Sequence, residues 1–290
     1  MTLSLFVICS RPTKQPDRRV GDPVTSIQYP TIEQLGDTAP DAIREHIDHL
    51  FRVFFCDPEE TQPSTSFCYI TDSPHPLGNA AFFSRDAGLD EIRNTTERLI
   101  ACGCPSAVVL MNDDQPEQTQ AIESLGYVFA EGMPLMSVTP ETLKPTALPD
   151  GYLYREVPIE EDAAWNEAVS TGYGLPLELG ACFGIKVASE RCALGVARHF
   201  AVERDGELVA TSMLYLHNNL AGIYGVATKP EHRGKGLAAH LTAEPLRMAW
   251  GLGFQTGLLQ ASAMGAPVYA RIGFRSHGDM ALFVRIPEGV

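Results

Sequence analysis

The stretch that decides the fold reads GVATKPEHRGKGLA and spans residues 225–238. It begins in a predicted strand and ends in a predicted helix, and its glycines at 234 and 236 let the backbone approach a ligand closely. Amide groups in the first turn of a helix lack partners within the helix, and together with the helix dipole they attract anions. Arg233 and Lys235 add positive charge. The stretch therefore predicts a pyrophosphate-binding loop between a strand and a helix.

Two other phosphate-binding motifs fit this stretch less well. A P-loop needs Ser or Thr after its lysine, whereas Lys235 is followed by a glycine. The spacing Gly234-x-Gly236-x-x-Ala239 matches a loose dinucleotide-binding pattern, but five residues separate the strand from Gly234. No Asp or Glu occurs between Glu244 and Asp279 to hold a ribose hydroxyl. A dinucleotide site is therefore disfavoured.

The rest of the C-terminal half predicts antiparallel strands followed by a strand–helix–strand unit. Apolar alternation marks the strands, and Asp205-Gly206 is a common hairpin turn. The predicted strands are 152–157, 199–204, 208–216, 221–228, 256–261 and 280–286, and the predicted helices are 159–171, 236–251 and 267–271. This order predicts a mixed α/β (α+β) domain with a mostly antiparallel sheet and flanking helices.

The N-terminal half repeats the later part of this order. Its predicted strands are 66–71, 80–84, 107–111 and 133–138, and its predicted helices are 89–102 and 118–125. Arg85-x-x-Gly88-Leu89 lies 148 positions before Arg233-x-x-Gly236-Leu237, and Gly126-Tyr127 lies 147 positions before Gly273-Phe274. A near-constant offset predicts an internal repeat, with chance similarity of two small α/β domains as the alternative.

Chain length and proline placement predict two domains. At 290 residues the chain exceeds the size at which one hydrophobic core usually stops growing. Three prolines and the Asp150-Gly151 turn signal fall within residues 140–151 and predict a linker. We therefore expect tandem domains at residues 1–148 and 149–290, with residues 11–30 as a polar leader to the first.

Charge and composition exclude several kinds of protein. The formal net charge is -14, and residues 1–150 carry 10 Lys and Arg against 22 Asp and Glu. Nucleic acid is a poor partner for such a surface, whereas an amine-bearing substrate would be attracted, although plain solubility also explains the charge. The apolar run at residues 3–9 is too short for a signal peptide, and no run reaches the length of a membrane span. We expect a cytoplasmic protein that binds no membrane.

The seven cysteines do not predict a metal site. Cys102 and Cys104 form a CxC pair, which lacks the spacing of common zinc sites. Free thiols in a reducing cytoplasm explain them better, and we expect no metal.

Two motifs in the C-terminal half resemble the signatures of the GNAT superfamily of acyl-CoA N-acyltransferases. Arg233-x-x-Gly236-x-Ala238 is similar to the family's Gln/Arg-x-x-Gly-x-Gly/Ala, which follows its fourth strand. Tyr269-x-x-x-Gly273-Phe274 is similar to its Tyr-x-x-x-Gly-Phe, and Ser262 stands where an asparagine commonly contacts the cofactor. These motifs lie within residues 233–274, and the strand order extends the resemblance over residues 151–290. The whole chain looks like a tandem GNAT protein.

This resemblance implies direct transfer of an acyl group, usually acetyl, from coenzyme A to an amine, without a metal or a covalent enzyme intermediate. The fourth strand would splay from the fifth, so that its free backbone groups bind the pantetheine arm and polarise the thioester carbonyl. The implied cofactor contacts are Val226, Ala227, Thr228, Arg233, Gly234, Lys235, Gly236, Leu237, Ala238 and Ser262.

The resemblance also implies an acid, whereas the base is open. Tyr269 would protonate the departing thiolate, since a phenol with a pKa of about 10 is fully protonated at neutral pH. A tyrosine that only packs its helix is the alternative. Tyr224 occupies the strand position where some relatives place a Glu, and Glu178 lies in a loop-like segment that could border the substrate. An ordered water is an equal candidate for the base.

The N-terminal repeat departs from the family pattern. Asp90 stands where Ala238 would be, and Ile122 stands opposite Tyr269. We therefore expect a degenerate first domain and one acyl-CoA site per chain. The acceptor would be a small-molecule amine, with a peptide amine as second choice, although sequence alone does not identify it. A non-catalytic acyl-CoA sensor or interaction module is the competing function, and a homodimer stays open.

Overall fold

The ten strands lie in a single twisted sheet. The structure is a computed structural model that describes residues 31–56 and 64–287, so the expected leader at residues 11–30 lies outside the described residues. The strands are β1 (Ser66–Ile70), β2 (Asn79–Phe83), β3 (Ser106–Leu110), β4 (Val128–Val138), β5 (Tyr152–Glu156), β6 (Ala197–Arg204), β7 (Glu207–His217), β8 (Leu220–Thr228), β9 (Gly257–Gln260) and β10 (Arg275–Arg285).

Nine α-helices of the described residues flank this sheet. They are α1 (Ile32–Leu35), α2 (Ala39–Phe55), α3 (Leu89–Ala101), α4 (Pro116–Ser124), α5 (Asp162–Tyr173), α6 (Leu177–Ala181), α7 (Ile185–Arg191), α8 (Leu237–Gly251) and α9 (Ala266–Arg271). The β2–β3 and β8–β9 pairs are parallel, and all other pairs are antiparallel. The predicted fold class, a mostly antiparallel sheet with flanking helices, is confirmed.

The predicted hairpin between β6 and β7 is present. Asp205 and Gly206 have φ angles of +53° and +86°, the left-handed conformation that a two-residue type I′ turn requires at both positions. Because this turn matches the twist of the paired strands, Arg204 pairs directly with Glu207.

The two halves of the chain exchange their last strands. The sheet order is β1-β2-β3-β10-β4-β9-β8-β7-β6-β5. Strand β4 closes the N-terminal half in sequence, yet it lies between β9 and β10, while β10 lies between β3 and β4. Each half therefore completes its part of the sheet with a strand from the other. The expected domain limits at 148 and 149 stay a prediction, because the sheet runs across them.

The internal repeat is visible in the order of elements. The sequence β2–α3–β3–α4–β4 in the N-terminal half corresponds to β8–α8–β9–α9–β10 in the C-terminal half. The first strand pair of each set is parallel, as a connection through a helix requires. The chain thus contains a second, N-terminal copy of the same unit.

Helix α2 was not predicted, although its signal is present in the sequence. Ile43, Ile47, Leu50 and Phe54 recur at helical spacing and are all buried. Ile43 and Ile47 pack with residues of β4 and β9, whereas Leu50 and Phe54 pack with α5 and β7. This helix from the N-terminal half therefore covers the face of the sheet beside β8. The short helices α6 and α7 also lie outside the predicted elements.

Two apolar cores lie on opposite faces of the C-terminal half. Helices α8 and α9 pack on one face, against Phe200, Val202 and Ile223. Helix α5 packs on the other with Ala201, Met213 and Ala227. Because neighbouring strand residues point to opposite faces, the alternation of Phe200, Ala201 and Val202 separates the two cores. No helix of the described ranges is long and apolar enough to cross a membrane.

Candidate functional site

The parallel strands β8 and β9 diverge soon after they pair. Their register contains only Ala221 with Gly257 and Gly222 with Leu258, although β8 continues to Thr228. The backbone N–H of Lys229 donates to Val209 O across β7 at 2.9 Å. Since successive amides of a strand alternate in direction, the N–H of Val226 points the other way, into the gap. The expected splay, with free backbone groups on one edge, is therefore present.

A β-bulge bends β8 at the same point. Thr211 pairs with Ala227 and Met213 pairs with Tyr224, so two residues of β8 oppose one residue of β7. One of them is Gly225, with a φ of +58°, whose carbonyl accepts from the Thr211 hydroxyl at 2.9 Å. The bulge explains why β8 leaves β9 while staying paired to β7.

The predicted pyrophosphate loop connects β8 to α8. Gly234 and Gly236 have φ angles of +74° and +80°, and an added Cβ at either would meet open space. Gly236 is the left-handed residue that precedes α8, and no side chain caps the first turn. The loop is exposed, whereas Leu237 is buried and anchors the helix. Uncapped amides of this first turn, facing solvent, are suited to an anion.

The two basic side chains of the loop brace its backbone. Arg233 Nε donates to Thr228 O at 3.1 Å, and its Nη2 donates to Gly172 O at the end of α5 at 2.8 Å. Lys235 Nζ donates to Glu231 O at 3.0 Å. Sequence reasoning assigned both only to the cofactor. These bracing contacts are new, and the cofactor contacts of both residues stay predictions.

Lys229, at the base of the loop, is a buried residue that sequence reasoning missed. Its side chain is 4% exposed, and its Nζ lies 2.7 Å from Glu167 Oε2 on α5 and 2.6 Å from Glu207 Oε1 on β7. Burial lowers the pKa of Lys229, but the hydrogen bonds to both carboxylates outweigh it and leave the pKa raised. The ammonium group therefore joins the base of the loop to α5 and β7, through two carboxylates that lie far away in sequence.

Tyr269 lies on α9 in the core that faces α8. Its side chain packs against Phe274, with ring centroids 5.8 Å apart, and only 8% of the residue is exposed. Burial, with a smaller effect of Tyr173, raises the pKa of Tyr269, so the phenol is protonated at neutral pH. Ser262 Oγ accepts from the N–H of Gly265 at 3.1 Å just before α9. Ser262 thereby helps to orient the helix that carries Tyr269.

The two candidate bases lie elsewhere. Tyr224 shares a 2.9 Å hydrogen bond with His46 Nδ1 of α2 and packs with cores on the face opposite Tyr269. Burial raises the pKa of Tyr224 well above its usual value. Burial also lowers the pKa of His46 to about 3, together with the charges of His217 and His49. Since Tyr224 stays protonated and its partner is a weak proton acceptor, these surroundings disfavour it as a base.

Glu178 is exposed in the first turn of α6. It borders a cavity of about 220 Å³ together with Leu179, Cys182 and residues 71–74, which belong to the N-terminal half. Glu178 is thus free to meet a ligand at the junction of the two halves. Its role as the base stays a prediction.

Tyr173, the last residue of α5, is a further site residue that the motifs did not reveal. It is 52% exposed and lies where α5 meets the splayed end of β8. The Val226 amide and Tyr269 both lie near the Tyr173 hydroxyl. The amide opposes the rise that burial causes in the pKa of Tyr173, and Tyr173 adds to the rise in the pKa of Tyr269. The sequence signal for Tyr173 was weak, because no motif includes it and Gly174 alone accounts for the end of the helix.

The corresponding gap in the N-terminal half is closed. Strands β2 and β3 pair at four positions up to Phe83 with Leu110, and the Met111 N–H then donates to Phe83 O at 2.9 Å. Gln118 Nε2 also donates to Arg85 O at 3.1 Å and to Ala87 O at 2.9 Å, which braces the remnant loop. Asp90 lies in the first turn of α3 as predicted. No edge of β2 is left free there for a pantetheine arm.

This difference predicts one acyl-CoA site per chain. Arg85→Ala should leave affinity and stoichiometry unchanged, whereas Arg233→Ala should weaken acetyl-CoA binding about tenfold, because it removes a charge and two hydrogen bonds from the loop. Calorimetric titration of both folded variants is the measurement. Two equivalent sites per chain, or lost binding in Arg85→Ala, would contradict it.

Within the described residues, no group of three or more His, Cys, Asp or Glu side chains is arranged to hold a metal ion.

Comparison with known proteins identifies the type of fold. The model of the acetyltransferase (GNAT) family matches residues 178–274, which include the loop and Tyr269. A GCN5-related N-acetyltransferase from Kribbella flavida is similar over 86% of this chain and 96% of its own, with a TM-score of 0.60 and 20% identity. One from Sphaerobacter thermophilus is similar over 78% of each chain, with a TM-score of 0.59 and 18% identity.

A GCN5-related N-acetyltransferase-like protein from Streptococcus suis 89/1591 is similar over 84% of this chain and 100% of its own. Its TM-score is 0.51 and its identity is 14%. At these identities the neighbours indicate a shared fold. A search of the curated proteins finds no significant match.

Proposed function

We propose that this chain, which belongs to the GNAT superfamily, transfers an acetyl group from acetyl-CoA to a primary amine of a small molecule. The observation that carries the proposal is the gap between β8 and β9, which opens directly beside the loop at residues 233–236. A splayed edge with free amides next to an uncapped helix start suits an extended ligand that carries a pyrophosphate at one end.

The reaction follows from these groups. The N–H of Val226 donates to the thioester carbonyl oxygen and stabilises the negative charge that develops when the amine attacks. A carbon–nitrogen bond forms, the carbon–sulfur bond breaks, and the thiolate of coenzyme A takes a proton from Tyr269. The amine gives its proton to an ordered water or to Glu178, the exposed candidate. No metal and no covalent enzyme intermediate are needed.

The acidic surface of the chain supports an amine as the acceptor. A net charge of -14 raises the local concentration of cationic molecules near the surface. Glu178, at the junction of the two halves, is placed to attract an ammonium group. The competing function is an acyl-CoA sensor without turnover. Buried Tyr269 in a family motif favours the enzyme, because a sensor needs no acid.

The test is a thermal-shift comparison of acetyl-CoA, NAD and ATP. Acetyl-CoA at about 100 times its Kd should raise the melting temperature by about 5 °C, because it binds only the folded state. NAD and ATP should give no comparable shift. In the variant Gly236→Asp the shift should vanish, because a side chain is strained at a φ of +80° and the carboxylate repels a pyrophosphate.

The matched control is Gly88→Asp, which places the same carboxylate before helix α3 of the closed N-terminal copy. This variant should keep the full shift. Equal shifts by NAD, or a full acetyl-CoA shift in folded Gly236→Asp, would refute the loop assignment. Release of free thiol from acetyl-CoA across a panel of amines then separates an enzyme from a sensor.

A further inference from the structure

The end of α5 is fixed at the mouth of the β8–β9 gap. Gly174 ends the helix with a φ of +70°, and its N–H donates to Thr171 O at 3.3 Å. The Leu175 N–H donates to Ser170 O at 2.9 Å, so the chain closes the helix with a left-handed cap. The backbone of Tyr173, just before this cap, is therefore held in one position.

The same helix end is clamped onto β8. A Cβ on Gly172 would lie 2.7 Å from Ala227 Cβ and 2.8 Å from Thr228 N, a distance that only glycine allows. Arg233 joins the two elements, since its guanidinium donates to both Gly172 O and Thr228 O. The backbone next to Tyr173 is thus held against Ala227 and Thr228 of β8, so the Tyr173 side chain cannot move away with it.

The Tyr173 side chain occupies the polar end of the gap. The N–H of Val226, which points away from β7, lies near the Tyr173 hydroxyl. This end of the side chain is buried, which raises the pKa of Tyr173, while the Val226 N–H opposes that rise. Tyr269, the acid of the proposed reaction, lies close enough for its pKa to respond to Tyr173. The rest of the ring faces solvent.

We propose that Tyr173 limits the length of the acyl group that the site accepts. This inference rests on the proposed function. A thioester carbonyl that accepts a hydrogen bond from the Val226 N–H lies next to the Tyr173 hydroxyl, and the half-exposed ring can turn to make room for it. Because the helix end is fixed, the ring remains next to the acyl group even after it turns. An acetyl methyl fits beside it, whereas a longer chain meets the ring.

The experiment compares acetyl-CoA with hexanoyl-CoA on Tyr173→Ala, by calorimetric Kd and by kcat/KM. The ratio of kcat/KM for acetyl-CoA to kcat/KM for hexanoyl-CoA should fall at least about tenfold. Without the ring, the extra methylenes of the hexanoyl chain have room beside α5. Tyr173→Phe should keep the wild-type preference but bind both acyl-CoAs about threefold more tightly, because no hydroxyl competes for Val226. Melting temperatures verify that each variant folds.

The matched control is Phe129→Ala, which removes a ring of similar exposure, 56%, from β4. Its acyl preference should equal that of the wild type. An unchanged preference in Tyr173→Ala, within about twofold, would overturn the role of Tyr173 while leaving the proposed function intact. Failure of the wild type to bind any acyl-CoA would instead overturn both.

Discussion

Replacement of Tyr269 by Phe should lower turnover by about 10²-fold, the usual scale for a lost general acid, while the Kd for acetyl-CoA stays within about twofold. The ring keeps its contact with Phe274 and its place in the core, so the fold survives. Only the hydroxyl that would protonate the departing thiolate is lost. Single-turnover kinetics with the best amine, together with calorimetric binding, measure the two effects separately.

Tyr154→Phe is the matched control for this change. Tyr154 packs against the same core, and burial raises its pKa as well, but it lies on the edge strand β5. Its loss should leave turnover unchanged. A decrease of less than about threefold in Tyr269→Phe, under conditions where chemistry limits the rate, would make Tyr269 a packing residue.

Separation of the two halves should abolish folding of each. Residues 149–290 alone lack β4, so β9 loses a partner, and β10 loses both of its neighbours, β3 and β4. Without β4, the apolar edge of β9 is open to pairing with other chains, and β10 has no strand to pair with. Circular dichroism should therefore detect no cooperative melting transition in residues 1–148 or 149–290 expressed alone. Co-expressed halves should assemble and melt near the temperature of the intact chain.

The control is the intact protein cut once within the linker after folding, at a protease site inserted between residues 145 and 150. This segment has no helix or strand, so the cut protein should stay associated and active. A cooperative transition together with acetyl-CoA binding in residues 149–290 alone would mean that the exchanged strands are dispensable.

The sequence predicted the elements whose signals are local. The loop at 233–236, the Asp205-Gly206 hairpin and the repeat were readable because glycine φ angles and apolar alternation depend on nearby residues. The strand exchange could not be predicted, since the alternation of apolar and polar residues in β4 and β10 is the same whichever strands lie beside them. Helix α2 also has a local signal, the apolar stripe of Ile43, Ile47, Leu50 and Phe54.

Only those site residues that belong to a sequence motif could be predicted. Tyr269 and the loop follow from spacing, and the splay of β8 follows from the family resemblance. Tyr173, Gly172 and the ion pairs of Lys229 with Glu167 and Glu207 depend on contacts between distant segments. A single sequence holds no local signal for such contacts. Even Arg233, which the motif marks, has bracing partners that only the folded chain displays.

The exchanged strand β10 has a consequence during synthesis. Its residues pair with Ser106–Leu110 of β3, which leave the ribosome about 175 residues earlier. At about 5–20 residues per second, that edge waits roughly ten to thirty seconds for its partner. During this interval, an apolar strand edge is open to pairing with other nascent chains. We therefore expect the yield of native protein to depend on chaperones that shield β3, and to fall when translation slows between β3 and β10.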